Sequence, residues 1–235
     1  MTATAAETGK RAAGMAALAE VRSGMTLGLG TGSTVRYFLD GLGAALAEGG
    51  LEGVRGVPTS RATEVRAGAL GIPLVELHEA GRIDVAVDGA DEVDPALDLI
   101  KGLGGALLRE KMVVQASDRF VVIVDPAKRV GRLGTRSPLP VEVVPFGWEA
   151  HLPFFRELGA SPSLRALPDG APYVTDNGNL IVDLAFPGGI PDAGELDAAL
   201  ALRAGVVESG LFLEVADRVL VGAPDALEVL DRGAA

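Results

Sequence analysis

One stretch of the sequence decides the fold: residues 83–92 read IDVAVDGADE, and residues 101–111 read KGLGGALLREK. Residues 83–87 form a largely apolar run of strand length, so Asp88 and Asp91 follow at the carboxyl end of a buried strand. Ligands of open α/β sheets bind at that edge. The stretch therefore predicts a sheet edge that presents two carboxylates to a ligand.

The glycines after Lys101 predict a helix from about residue 105 to 116, and Glu110 is the unusual residue on it. Its neighbours three and four positions away are all apolar: Ala106, Leu107, Val113 and Val114. Desolvation on such a face raises the pKa of a carboxyl group toward that of a general base working near neutral pH. The alternative is a solvated glutamate on an exposed face, but Asp88, Asp91 and Lys101 nearby favour a catalytic role.

Composition excludes several functional classes. The chain has 235 residues, of which 48% are hydrophobic, enough for one large domain or two small ones. A formal net charge of -11 argues against nucleic acid and anionic membranes as partners. There is no cysteine, and the two histidines, His78 and His151, lie far apart, so we expect no metal site and no cofactor. Without a signal peptide or a membrane-spanning run, we expect a cytoplasmic protein.

A second glycine-rich segment lies nearer the N-terminus. Residues 25–29 predict a strand, residues 30–34 (GTGST) a turn and residues 33–48 a helix, an arrangement that directs backbone N–H groups at an anion. The segment is not a dinucleotide fingerprint, because Ser33 occupies the third glycine position, and it is not a P-loop. A single phosphate is the expected ligand, and a simple helix cap by Ser33 or Thr34 is the alternative.

Strand and helix patterns alternate through the rest of the first 136 residues. We predict helices over residues 8–22 and 61–70, and strands over residues 53–57, 73–77, 83–87 and 120–124. Such alternation predicts an α/β fold with a doubly wound, mostly parallel sheet.

The pattern changes after residue 133, and residues 136–140 predict a linker. It predicts strands at 141–144, 179–185 and 206–212, helices at 148–158 and 192–203, and weak strands at 164–167 and 173–175. With one weak strand set aside, this is β-α-β-β-α-β, a ferredoxin-like α+β unit. A strand at 218–222 and a last helix at 225–230 would rejoin the first sheet. We therefore expect a Rossmann-like catalytic domain of residues 1–136 and 208–235, with residues 137–207 inserted as a lid or oligomerisation domain.

These motifs together resemble those of type A ribose-5-phosphate isomerases, the metal-independent aldose–ketose isomerases of the pentose phosphate pathway. The matching segments are residues 28–34 (GLGTGST), 88–92 (DGADE), 101–111 (KGLGGALLREK), 125–128 (DPAK), 138–145 (PLPVEVVP) and 174–179 (VTDNGN). The second and third together, at this spacing, are highly specific. The resemblance implies that ribose 5-phosphate and ribulose 5-phosphate are interconverted through an enediolate, by a homodimer or homotetramer.

The resemblance also implies roles for particular residues. Glu110 matches the catalytic base, and Asp88, Asp91 and Lys101 complete the catalytic set. The residues that match substrate-binding positions are Thr31, Gly32, Ser33, Thr34, Asp88, Gly89, Ala90, Asp91, Lys101, Gly102, Leu103, Gly104, Lys128 and Lys10. Many family members have glycine where this chain has Leu103, and leucine resists positive φ, which argues against a backbone N–H contribution from that position.

The chemistry agrees with these assignments. Moving a proton between adjacent carbons needs one carboxylate, and Glu110 can supply it. Lys101 can stabilise the enediolate oxygen, a contribution of about 3 kcal/mol for one such donor. Asp88 is the candidate for ring opening, and Asp91 for binding hydroxyls or tuning Lys101.

Two other functions compete with this one. Another sugar-phosphate isomerase or deaminase of related fold would be expected to use a catalytic histidine, but both histidines lie outside every motif. A sugar-phosphate-sensing domain would usually accompany a DNA-binding segment and would not need Glu110.

Overall fold

The computed structural model describes residues 3–233, which form two compact units. The larger unit contains the described residues up to Ala90, Arg109–Lys128 and the described residues from Val215 onward. The second unit contains Asp91–Leu108 and Arg129–Glu214. Each unit has a hydrophobic core of its own.

The larger unit is built on a six-stranded sheet. Its strands are β1 (Thr26–Leu29), β2 (Arg55–Pro58), β3 (Val85–Asp88), β6 (Phe120–Val124), β12 (Arg218–Ala223) and β13 (Ala226–Asp231). Their order is β13-β12-β6-β3-β1-β2, and every neighbouring pair is parallel except β12 with β13. The doubly wound, mostly parallel sheet predicted from the sequence is confirmed.

Four helices accompany this sheet: α1 (Ala3–Ala16), α2 (Val35–Ala47), α3 (Arg61–Ala69) and α4 (Leu107–Gln115), of which the part from Arg109 belongs to this unit. All residues of β1, β3 and β6 are buried, as expected for central strands of a parallel sheet covered on both faces. This burial explains why β6 reads as an uninterrupted apolar run, Phe-Val-Val-Ile-Val.

The second unit contains an antiparallel sheet of β7 (Leu139–Val143), β8 (Ser161–Leu164), β9 (Leu180–Ala185) and β10 (Val206–Ser209), with helices α5 (Leu152–Glu157) and α6 (Ala193–Ala201). The strand order is β10-β7-β9-β8, and all neighbours are antiparallel. Chain order and strand order together are those of a ferredoxin-like unit, as the sequence predicted.

A small three-stranded sheet also belongs to the second unit. It consists of β4 (Glu92–Val93), β5 (Leu99–Ile100) and β11 (Leu211–Phe212), in the order β11-β5-β4. The unit therefore extends beyond residues 137–207 and also includes residues 91–108, 129–136 and 208–214. β4 and β5 have two residues each and carry no periodicity, so the sequence did not predict them, whereas β11 lies within the strand predicted at 206–212.

Several predicted elements differ in the structure. The last helix is wrong: residues 226–231 form β13, which pairs with β12 across the turn Pro224-Asp225. Residues 73–77 are not a strand, since only Leu74 forms a bridge, to Gly56. Within residues 173–175, which were predicted as a weak strand, only Val174 forms an isolated bridge, to Leu180. The strand predicted at 206–212 is two strands, β10 and β11, because the chain changes sheets at Gly210.

No helix within residues 3–233 is long and apolar enough to cross a membrane.

Candidate active site

Residues 30–34 form the turn between β1 and α2, at the carboxyl end of the sheet. The N–H of Gly30 donates to the carbonyl of Val87, 3.0 Å away, which holds the turn against β3. A Cβ at Gly30 would lie 2.2 Å from the Asp88 carboxylate, so only glycine allows this approach. Gly32 has φ +124, a conformation that also favours glycine. Thr34 makes no capping hydrogen bond, so the helix-cap alternative is not supported at that residue.

Thr31 is tied into the protein beneath this turn. Its N–H donates to Oδ1 of Asp88 (2.9 Å). Its hydroxyl lies 2.8–3.0 Å from three others, those of Thr59, Ser60 and Thr63. The exposed residues of the turn are Gly32 and Ser33, at the N-terminal end of α2. The sequence did not predict this hydroxyl cluster, because its members lie about thirty residues from Thr31.

Asp88 is the last residue of β3 and is buried. Its Oδ1 accepts the N–H groups of Thr31 (2.9 Å) and Gly89 (2.7 Å). Two backbone donors therefore fix the orientation of this carboxylate. The strand-end position predicted for Asp88 is confirmed.

Glu110 lies in the first turn of α4 and is only 5% exposed, which confirms the predicted burial. Val113 and Val114, on the same helix, are buried with it. A Cβ at Gly28 of β1 would lie 2.5 Å from Cγ1 of Val113, so this glycine lets α4 pack closely on the sheet. The position of the buried carboxylate therefore depends on a glycine in a neighbouring strand.

Two further candidate residues of the larger unit are lysines. Lys128 ends a short 3-10 helix (Pro126–Lys128) that follows β6, and Asp125 caps this helix by accepting the N–H of Ala127 at 2.8 Å. Lys10, on α1, contacts Oε1 of Glu7 at 3.0 Å.

Glu7 also accepts hydrogen bonds from Tyr37 and Arg36 of α2. The hydrogen bonds from Tyr37 and then Lys10 hold the pKa of the Glu7 carboxyl below its usual value. Lys10 is thus part of a charged cluster that links α1 to α2.

Asp91 and Lys101 belong to the second unit. Lys101 follows β5, is buried, and has its Nζ 5.5 Å from the ring centroid of Phe212. Oδ2 of Asp91 accepts the N–H of Leu103 at 2.9 Å. Leu103 is not among the non-glycine residues with positive φ in residues 3–233. The leucine therefore does not prevent its N–H from donating, and that N–H is used to bind Asp91.

Sequence reasoning missed two buried glutamates that organise the second unit. Glu92 accepts the N–H groups of residues 134, 136 and 137. Oε1 of Glu142 accepts hydrogen bonds from Thr175, Asn177 and Asn179 at 2.9–3.1 Å. The contacts of Glu142 join two of the segments that resemble the family, PLPVEVVP and VTDNGN, in one hydrogen-bond network. Sequence reasoning also missed Arg165, which contacts the carbonyls of Gly102 and Leu103.

Neither histidine belongs to the residues gathered here: His78 is exposed, and His151 is buried in the second unit beside Arg203 and Phe155. Within residues 3–233, no group of three or more His, Cys, Asp or Glu side chains is arranged to hold a metal ion.

The open, mostly parallel sheet, the turn of residues 30–34 after β1 and the buried carboxylates at the end of β3 and on α4 define the class: an α/β enzyme. Open sheets of this kind bind ligands at their carboxyl edge as a rule. A family model described as Ribose 5-phosphate isomerase A (phosphoriboisomerase A) matches residues 55–226. The chain belongs to this family, and it is an isomerase.

Individual relatives agree. The ribose-5-phosphate isomerase A of Roseiflexus castenholzii is 52% identical over 222 residues, covering 94% of each chain. That of Deinococcus radiodurans is 47% identical and covers 95% of this chain and 97% of its own.

Solved structures show the same fold. A D-ribose-5-phosphate isomerase in complex with phospho-erythronic acid has a TM-score of 0.94 at 40% identity, covering 99% of this chain and 100% of its own. The ribose 5-phosphate isomerase of Plasmodium falciparum has a TM-score of 0.92 at 36% identity, covering 97% and 99%.

Proposed function

We propose that this chain interconverts ribose 5-phosphate and ribulose 5-phosphate through an enediolate, with Glu110 as the base. The observation that carries this assignment is the buried carboxylate of Glu110 on a helix that packs against the sheet. Glu110 removes the proton from C2 and returns it to C1, while the hydroxyl proton on O2 passes to O1, so that C1 becomes the alcohol and C2 the ketone. A single carboxylate suffices because the two carbons are adjacent and the enediolate is planar.

Three other charged residues take part in the proposed reaction. Lys101 stabilises the negative oxygen of the enediolate, and a donor of this kind contributes about 3 kcal/mol at the transition state. Asp88 acts as the acid and base of ring opening, and its two backbone hydrogen bonds keep it oriented for this step. Asp91 shapes the 101–104 segment, since it holds the N–H of Leu103.

The phosphate is held by the turn before α2 and by lysine. Gly32 and Ser33 are exposed, and Thr34 precedes the first residue of α2, so backbone N–H groups and the positive end of the helix are available there. Lys128 and, less directly because of its contact with Glu7, Lys10 supply positive charge. A solved relative in complex with phospho-erythronic acid, a phosphorylated sugar acid, supports a sugar phosphate as the ligand of this chain as well.

The remaining substrate-binding residues of the proposal are Gly89, Ala90, Gly102, Leu103 and Gly104, with Thr31 acting through its contact with Asp88. We further propose that the protein is cytoplasmic and forms a homodimer or homotetramer, in which the inserted domain serves as a lid or in oligomerisation. Light scattering on purified protein tests the oligomeric state, and a monomer would contradict it.

The function is tested by a coupled assay that follows ribulose 5-phosphate formed from ribose 5-phosphate. We expect turnover with the phosphorylated sugar and very little with unphosphorylated ribose. Binding of ribose 5-phosphate without turnover would instead indicate a sensing domain.

A further inference from the structure

The segment that follows Lys101 is a tight turn of residues 102–105, here called the glycine turn. The N–H of Gly105 donates to the carbonyl of Gly102 at 3.0 Å and closes it. Gly102 and Gly105 have φ values of +102 and +82. Leu103 and Gly104 are exposed at its tip. The turn carries substrate-binding positions in the proposed function, so what holds its peptides in place matters for binding.

Arg165 holds the glycine turn from one side. One terminal nitrogen of its guanidinium donates to the carbonyls of Gly102 (2.9 Å) and Leu103 (3.0 Å). The Nε and the other terminal nitrogen bind the two carboxylate oxygens of Asp183 on β9. The side chains of Arg165 and Asp183 are 13% and 17% exposed. A guanidinium group that is bound through two nitrogens to one carboxylate is held in a fixed orientation.

Because the peptide group is planar, holding its carbonyl also fixes the orientation of its N–H group. In a trans peptide the C=O and N–H point in opposite directions. Because Arg165 holds the carbonyl of Gly102, the N–H of Leu103 points the other way, and there it meets Asp91 at 2.9 Å. By the same reasoning, holding the carbonyl of Leu103 directs the N–H of Gly104 away from the guanidinium.

Tyr173 also holds the glycine turn. Its hydroxyl donates to the carbonyl of Gly104 at 3.4 Å, and its ring centroid lies 5.9 Å from the guanidinium carbon of Arg165. A Cβ at Gly105 would lie 2.1 Å from the Tyr173 hydroxyl, so the turn packs directly on this ring. Together, Arg165 and Tyr173 hold three consecutive carbonyls of the glycine turn.

The backbone around Arg165 does not need its side chain. The N–H of Arg165 donates to Ile181 and its carbonyl accepts from Tyr173, both at 2.9 Å. The first bond continues the pairing of β8 with β9, and the second pairs Arg165 with the neighbouring segment that contains Tyr173. Removing the guanidinium therefore leaves the main-chain pairing of this segment intact and removes the hold on the glycine turn.

We propose that Arg165 is a positioning residue for the isomerase reaction: held by Asp183 and Tyr173, it orients the glycine turn so that the N–H of Gly104 is a preorganised donor to the sugar phosphate. This rests on the proposed function, in which residues 101–104 bind the substrate. A donor fixed in advance needs no reorganisation during the reaction, so loosening it lowers the rate.

The test compares Arg165→Met and Arg165→Lys with Arg203→Met. Arg203 is a matched control, because it lies in the same unit, donates to the carbonyl of Ala150 and contacts a ring, that of Phe154, away from the glycine turn. Misplacing a binding group by about 1 Å costs about 10²-fold, so we expect a loss of that size in kcat/KM for Arg165→Met. The kcat/KM of Arg165→Lys should lie between those of the wild type and Arg165→Met, since an ammonium group cannot bind Asp183 and both carbonyls together.

A readout that does not depend on turnover is amide hydrogen exchange at Leu103 and Gly104. In Arg165→Met the Leu103 N–H should exchange faster, because its peptide is no longer held against Asp91; in Arg203→Met it should be unchanged. If Arg165→Met fails to fold, Tyr173→Phe removes one hydroxyl only and should lower kcat/KM to a smaller extent.

Two results would overturn the proposal: kcat/KM and Leu103 exchange that match the wild type in folded Arg165→Met, or equal losses in Arg165→Met and Arg203→Met. A wild-type protein that does not isomerise ribose 5-phosphate would contradict the proposed function instead. The exchange measurement would then still report whether Arg165 holds the turn.

Discussion

At the scale of single residues, Glu110 carries the proposed chemistry. Glu110→Gln keeps the shape of the side chain but cannot accept a proton from carbon. Loss of a general base costs about 10²–10⁴-fold, and we expect kcat to fall by at least the upper value, because water is a poor substitute in proton abstraction from carbon. The coupled assay measures kcat, and calorimetry with ribose 5-phosphate measures binding, which should be retained.

Glu64→Gln is the matched control, since Glu64 also lies in the first turn of a helix, α3, but is exposed. It should leave kcat unchanged. A folded Glu110→Gln protein that binds ribose 5-phosphate and keeps more than about a tenth of wild-type kcat would refute the assignment, and the base would then be sought at Asp88 or Asp91.

His151 gives a prediction about stability and pH. It is buried in the second unit, and burial, then the charge of Arg203, hold the pKa of its imidazole below the usual value. The unfolded chain therefore binds a proton at higher pH than the folded protein does. The contribution of neutral His151 to the stability of the fold is therefore fully present above the ordinary histidine pKa of about 6.5. It is lost as the pH falls from that value through the lower pKa of the folded protein.

Melting temperatures measured between about pH 7.5 and pH 5 check this. His151→Gln should reduce the loss of stability on acidification, because the titrating group is removed. His78→Gln, at an exposed histidine, should keep the wild-type pH dependence. Identical pH profiles for the two variants would contradict the argument.

At the scale of secondary-structure elements, the packing of α4 on β1 sets the position of Glu110. Gly28→Ala places a Cβ 2.5 Å from Cγ1 of Val113 on α4 and 2.8 Å from Cβ of Ala86 on β3, so the packing around β1 must shift. Overpacking of this kind costs about 1–3 kcal/mol of stability, and we expect kcat to fall because the catalytic carboxylate moves with the helix. Chemical denaturation and the coupled assay measure the two effects.

The second substitution Val113→Ala should restore part of both losses by removing the methyl group that meets the new Cβ. Gly68→Ala is the matched control, because Gly68 lies in α3 with open space around its Cβ position. It should raise stability by up to about 1 kcal/mol and leave kcat unchanged. A wild-type kcat in Gly28→Ala would contradict the argument that the packing of α4 on β1 sets the position of Glu110.

At the scale of the whole molecule, the proposed reaction needs no metal ion. The chain has no cysteine, and every proton and charge in the proposed mechanism is handled by carboxylates, lysines and backbone N–H groups. We expect EDTA to leave the isomerase rate unchanged. Loss of activity on chelation, followed by recovery with a divalent ion, would show that a metal takes part.

Much of the fold and of the candidate site could be predicted from the sequence, because the relevant signals are local. The apolar run of β6, the glycine turns and the apolar neighbours of Glu110 each lie within a few residues of one another. Local signals failed at the last element, where a short apolar segment was assigned to a helix although it pairs with β12 as a strand.

The sequence alone determined the fold class, the family motifs and the burial of Glu110, since strand and helix periodicity and turn chemistry act between near neighbours. Only the tertiary structure decided what holds those motifs in place. Arg165 reaches the glycine turn across more than sixty residues, and Thr31 reaches Asp88 across 57. Such contacts depend on how strands pair and change sheets, and pairing between distant segments leaves no periodic trace in the sequence.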